Sequence, residues 1–139
     1  RERSLFQWGI ALRETNEVIG TCTLASLSSA HRRAELGFAL RHASWRRGYI
    51  REILPRLVDF AFGPLGLHRL EADVDPHNAA SLEAVRRLGF RLEGHFRDRY
   101  FVHGLWHDAA MFGLLRTEWD ARRGGDVSPR SGATLPSAP

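Results

Sequence analysis

Between Trp45 and Phe62 the chain reads WRRGYIREILPRLVDFAF, and no other stretch limits the possible folds so tightly. Past Gly48 the apolar residues Ile50, Ile53, Leu54, Leu57, Val58, Ala61 and Phe62 recur at i, i+3, i+4, i+7, the rhythm of a helix that buries one face. Arg51, Glu52, Arg56 and Asp59 occupy the other face. A helix start exposes unpaired backbone N–H groups at the positive end of the macrodipole, so this arginine-glycine entry is a candidate anion site. Gly48 lets a phosphate approach the backbone where a Cβ would block it, and Arg46 and Arg47 add charge from the sides. An ordinary capped helix start explains the same residues, so the rest of the chain has to decide between the two.

The flanking segments read as strands. Leu5 to Leu12 is rich in aromatic and aliphatic residues, turns at RETNE, and is answered by Val18 to Leu24, a hairpin pattern. Ser26 to Arg33 reads as a polar loop, and Ala34 to Leu40 as a third strand running directly into the arginine-glycine turn. Gly63, Pro64 and Gly66 stop the helix, after which Leu70 to Val74 alternates as a short strand. Strand, helix and strand form a crossover unit, which pairs the two strands in parallel and leaves ligand space beyond their C-terminal ends. A second helix follows, with Asn78 as N-cap, Leu82, Val85 and Leu88 as its buried stripe, Gly89 as the left-handed C′ residue and Phe90 folding back toward Val85. Phe90 to Val102 alternates as a long strand interrupted at Gly94 and Asp98, positions suited to a bulge. His103 and Gly104 suit a tight turn, and Trp106 to Leu115 returns as the partner strand.

With 139 residues, 43% of them hydrophobic and 26% charged, the chain fits one globular domain over residues 1–120, and the Gly, Ser and Pro content of 121–139 predicts a disordered tail. No run of eighteen apolar residues offers a membrane span, and no leader pattern opens the chain, so a cytoplasmic protein is the expectation. The net charge is +4 and all twenty basic residues are arginine. They are scattered among acids rather than massed, which favours a solvated surface over a nucleic-acid face. No acidic cluster is visible along the sequence either. Cys22 lies in an apolar strand pattern and reads as a core residue. His103 and His107 are four apart with no third ligand at metal-motif spacing, so no metal site is expected. His107 beside Asp108 reads as a strand-edge hydrogen bond rather than a catalytic dyad.

WRRGYIRE, then RLEADVDPHNAASLEAVRRLGF, then RDRYFVHGLWHDAAMFGLL, in this order, resemble the GCN5-related N-acetyltransferases, in particular the branch of Rim-type ribosomal-protein N-terminal acetyltransferases. The resemblance extends from about Leu5 to Trp119. It implies an α/β fold with a mixed, mostly antiparallel sheet, flanked by helices, whose central parallel strand pair is splayed for coenzyme A. It implies acetyl-coenzyme A as donor, with the pyrophosphate on the backbone of Arg46, Arg47, Gly48, Tyr49, Ile50 and Arg51. The pantetheine arm would run along the strand end at Phe38, Ala39 and Leu40, with Asn78 holding it and Ser81 near the sulfur. The acceptor would be a primary amine, first of all a protein or peptide N-terminal α-amine. A small amine such as a polyamine, amino sugar or antibiotic is the alternative, and a non-catalytic module binding coenzyme A or RNA is a third. Relative to the family the chain is expected to lack a first strand and helices, which usually wall the acceptor pocket. Monomer and homodimer both remain open.

Three positions depart from the family pattern. Trp45 stands where Gln or Arg is usual, Ile50 where a small residue is usual, and Val85 where many members carry a tyrosine as general acid. The chemistry needs a base to deprotonate the amine, an N–H to hold the oxyanion and a proton for the departing thiolate. Glu35 is the candidate base, with Glu71 and Asp73 as competitors, and backbone N–H groups near Phe38 or Ala39 suit the oxyanion. Ser81 is the first candidate partner for the sulfur and Tyr100 the second.

Overall fold

The computed structural model describes residues 5–41, 44 and 48–123. Six strands and three helices follow one another as β1 (Phe6–Ala11), β2 (Val18–Ser28), β3 (Arg33–Leu40), α1 (Tyr49–Phe62), β4 (Arg69–Val74), α2 (Ala79–Leu88), β5 (Arg91–Val102), β6 (Leu105–Leu115) and α3 (Arg116–Arg123). The strands form one sheet in the order β1-β2-β3-β4-β6-β5. Only β3 and β4 pair in parallel, joined by the crossover through α1; the other four pairings are antiparallel.

Alternation along β4 explains how the sheet is used. Leu70, Ala72 and Val74 are buried while Arg69, Glu71 and Asp73 between them are half-buried, so one face is apolar and the other charged. β3 repeats the pattern in register, Ala34 opposite Leu70 and Glu35 opposite Glu71. One core unites the apolar face with the helices: Leu54, Leu57, Val58, Ala61 and Phe62 of α1, Val85 and Leu88 of α2, and Trp119 of α3. Trp119 also donates its indole N–H to Asp59 of α1 at 2.9 Å. Cys22 sits in this core, where burial pushes its thiol up to about 11 and leaves it inert.

The expected helix stops hold. Asn78 Oδ1 accepts the Ser81 N–H at 3.0 Å, and Gly89, at φ 100°, closes α2 while the Phe90 N–H returns to the Val85 carbonyl at 3.1 Å. β5 and β6 meet at His103 and Gly104, both with positive φ, as the hairpin pattern requires. Two elements differ from the expectation. The loop expected over Ser26 to Arg33 shortens to a turn over residues 29–32, because β2 and β3 continue past a register shift between Ala25 and Ser28 and take in Ser26–Ser28 and Arg33. Arg116–Arg123, beyond the last expected strand, forms α3, anchored by the burial of Trp119. No helix among the described residues is long and apolar enough to cross a membrane.

Candidate active site

β3 and β4 are paired from Arg33–Arg69 to Glu35–Glu71. Beyond that point β3 continues to Leu40 beside β2, and β4 to Val74 beside β6, without a further pair between them. The sheet therefore forks at Glu35 and Glu71. Phe38, Ala39 and Leu40 lie on one arm of the fork, which also delivers the chain toward α1.

At the start of α1, Gly48 adopts φ 81° and no side chain caps the helix. A Cβ added to Gly48 would meet no atom of the other described residues within 4 Å, so the first-turn N–H groups are approachable from that side. Tyr49 and Ile50 pack against the core. The branched Ile50, which departs from the small-residue pattern, thus spends part of its side chain on the core stripe. Arg51 is exposed. Arg46 and Arg47, with Trp45, lie outside the described residues.

A cleft of about 360 Å³ opens beside the fork, lined by Glu35, Asp73, Asp75, Tyr100, Val102, His107 and Asp108. Strands far apart in sequence supply it, which is why four carboxylates meet here although the sequence carries no run of acids. The expectation of no acidic cluster is corrected by this gathering. Each acid has a distinct state. Glu71, next to the cleft, is bound by Arg69 Nε at 3.0 Å, and Arg69 also holds Glu93 at 2.5 Å. Asp73 accepts the Tyr100 hydroxyl, and this bond raises the phenol above its ordinary range. Asp75 accepts the His77 N–H at 2.9 Å. Asp108 accepts the Asp98 N–H at 2.8 Å and meets His95 Nε2 at 2.7 Å, and these partners hold its carboxyl below the usual range. Glu35 alone of these five has no hydrogen-bond donor among the described residues. Partial burial raises its carboxyl, the charges of Asp73 and Glu71 raise it further, and Arg99 opposes them.

The candidates named from sequence thus fall into two groups. Glu35 and Tyr100 face one cleft; Ser81 is not among its lining residues, and its backbone is engaged in the Asn78 cap. Asn78 caps α2 through its side-chain oxygen, a role that leaves its amide N–H groups unused by the cap. Val85 is fully buried in the core and offers no proton donor. Asp75, His107 and Asp108 were not candidates from sequence. An acid every other residue in LEADVD was the available signal, since alternation puts Glu71 and Asp73 on one face. Their meeting with Asp108 and Tyr100 depends on the order β4-β6-β5.

A sheet opened between two parallel strands, with an uncapped helix start after one arm and a polar cleft at the branch, defines a mixed α/β domain built to admit an extended ligand. The acetyltransferase (GNAT) domain model matches residues 1–91, and the chain belongs to that family. It is 37% identical over 113 residues to p20 of Bacillus licheniformis, an uncharacterized N-acetyltransferase, covering 81% of this chain and 64% of that protein. The ribosomal protein uS5-alanine N-acetyltransferase of Escherichia coli K12 is 25% identical over 88% of this chain and 64% of its own length. The chain accordingly spans a little under two thirds of these relatives. Among solved structures, mutant forms of the spermidine/spermine N-acetyltransferase SpeG from Vibrio cholerae superpose with a TM-score of 0.81 at 22% identity, over 88% of this chain and 73% of that one. That likeness is one of fold.

Proposed function

We propose that the protein transfers an acetyl group from acetyl-coenzyme A to a primary amine, and that the acceptor is a small amine carrying several positive charges. The observation that carries this reading is the cleft at the fork, where Glu35, Asp73, Asp75 and Asp108 converge and Glu35 has no donor among the described residues. Four carboxylates in one concavity lower the potential for any cation, and each added ammonium on the acceptor gains from it. A protein N-terminus brings one such charge. The acidic cleft therefore favours the small polyamine over the α-amine that the Rim-type resemblance puts first. The relatives support acetyl transfer to amines in general and include both kinds of acceptor.

The residues present fit the donor. The approachable N–H groups after Gly48 suit a pyrophosphate, and the arm Phe38, Ala39 and Leu40 offers a strand edge for an amide-bearing chain, with Asn78 kept as its candidate partner from sequence. Arg46 and Arg47 remain part of this proposal from sequence. When bound, acetyl-coenzyme A supplies an activated acetyl group. Glu35, held half-buried with its carboxyl raised, takes the proton that makes the amine nucleophilic. Backbone N–H groups around Phe38 and Ala39 stabilise the oxygen on which charge develops. Tyr100, its proton kept by the bond to Asp73, stands in the same cleft and replaces Ser81 as the first candidate donor to the leaving sulfur.

The test measures thiol release with a triamine, a diamine, a monoamine and an alanine-initiated peptide at fixed donor concentration. We expect kcat/KM to fall in that order as positive charges are removed. A peptide preferred over the triamine would overturn the acceptor assignment and restore the α-amine reading.

A further inference from the structure

Strands β5 and β6 leave register twice, between Leu92 and Gly94 and between Phe96 and Tyr100, and the second shift bears on the cleft. Phe96 pairs with Ala109 and Tyr100 with His107, so Arg97, Asp98 and Arg99 stand opposite the single residue Asp108. In a straight ladder position 98 would face His107. The two extra residues put Tyr100 there instead, and with it the phenol that reaches Asp73. The placement of a hydroxyl in this cleft thus depends on the bulge.

The bulge is not an easy conformation. Asp98 sits at φ 49°, in the left-handed region that L side chains disfavour. Asp108 ties it at two points: Oδ1 accepts the Asp98 N–H at 2.8 Å, inside the bulge, and Oδ2 meets His95 Nε2 at 2.7 Å, just before it. A carboxylate that spends one oxygen inside a bulge and the other on the strand leading into it is a clamp.

We infer that Asp108 is a positioning residue, which pins the β5 bulge and thereby holds the Tyr100 hydroxyl on Asp73 at the proton-transfer end of the cleft. The inference rests on the acetyltransfer reading for its kinetic consequence and on register and hydrogen bonds alone for its structural one. Asp108 therefore acts on turnover through Tyr100, and its charge toward the acceptor is a separate, smaller contribution.

Four variants separate these roles. Asp108→Asn keeps an oxygen for the Asp98 N–H and removes the charge. Asp108→Ala removes the clamp. Asp98→Gly in the Asp108→Ala background relieves the left-handed strain, so the bulge can persist without its clamp. Tyr100→Phe identifies the phenol signal, since the chain has two tyrosines. Each is assayed for kcat and KM and titrated by tyrosinate absorbance. We expect Asp108→Ala to lower kcat by about 10-fold or more with a smaller change in KM, and to return the Tyr100 titration to the ordinary phenol range. Asp108→Asn retains the raised titration and alters mainly KM, and Asp98→Gly recovers at least about 3-fold of the lost kcat. A Tyr100 titration unmoved by Asp108→Ala, or an effect on KM alone, overturns the inference. Should Asp108→Ala fail to fold by circular dichroism, Asp108→Ser with and without Asp98→Gly makes the same comparison. Absence of turnover in the parent chain would count against acetyl transfer, and the titration would still decide the clamp.

Discussion

Asp75→Asn isolates the electrostatic part of acceptor binding. The amide oxygen of asparagine can still accept the His77 N–H that Asp75 accepts at 2.9 Å, so the turn is preserved and one charge is lost. Asp75 is about half exposed, which sets the effective dielectric near that of water. An ammonium about 5 Å away then gains about 0.8 kcal/mol before screening, and a second about 10 Å away gains about 0.4 kcal/mol. At about 0.01 M salt, screening leaves about 1.0 kcal/mol in total, a rise in KM of about 5-fold on removal of the charge. At about 0.15 M, where the screening length is about 8 Å, little more than half of this survives and the rise falls to between 2- and 3-fold. The assay is the KM of a triamine and of a monoamine at the two salt concentrations, at a pH where Glu35 is ionised, with kcat expected within about 2-fold of the parent. A shift that is equal for both amines and indifferent to salt would refute the field argument and indicate a local contact instead.

Glu35→Gln should abolish most turnover while raising stability at neutral pH. A carboxyl raised in the fold contributes favourably only below its unfolded value, and that contribution is lost as pH rises through the folded one, so removing the charge helps above this window. Urea denaturation at pH 4 and pH 7 beside the pH profile of kcat checks both halves: the acid limb of the parent should lie above the ordinary carboxylate range, and the stability gain should shrink at pH 4. Gly48→Ala should weaken coenzyme A binding by about 10-fold or more in a calorimetric titration while costing only about 1 kcal/mol of stability, because the added Cβ meets no other atom of the described residues and the cost is mainly that of the left-handed backbone. Leu57→Ala, at a fully buried position of α1, should cost about 3 kcal/mol and lower the melting temperature by about 10 °C without changing the ordering of acceptors, as read by thermal unfolding and by the amine panel.

Much of this architecture is local in origin. The i, i+3, i+4 spacing from Ile50 to Phe62 forces an amphipathic helix, and Gly89 after Leu88 closes the second one in the left-handed conformation that a β-carbon resists. The interruptions at Gly94 and Asp98 coincide with the register shifts of β5. Where the sequence misled, a polar composition was taken for a loop: Ser26 to Ser28 is held in β2 by pairing with β3, a partner that composition cannot supply. In the same way Arg116–Arg123 is docked as a helix by Trp119, which packs among side chains distant in the chain, and by Glu118, which takes the Leu115 N–H and Arg91.

For the candidate site the division is sharper. The open helix start at Gly48, proposed above as an anion site, and the capping role of Asn78 follow from residues adjacent in sequence, since N–H groups and caps act within one turn. The acidic cleft does not. Glu35 and Asp108 come from segments distant from the one that carries Asp73 and Asp75, and no local pattern announces that the three segments meet. Sheet order sets β4 beside both β3 and β6, the parting of β3 from β4 opens the space between them, and the bulge turns Tyr100 toward Asp73. By itself the sequence determined periodicity, punctuation and the family to which the chain belongs. Only the tertiary structure decided which charges meet, because electrostatic and hydrogen-bond energies depend on separation in space, and the fold alone brings these residues within reach.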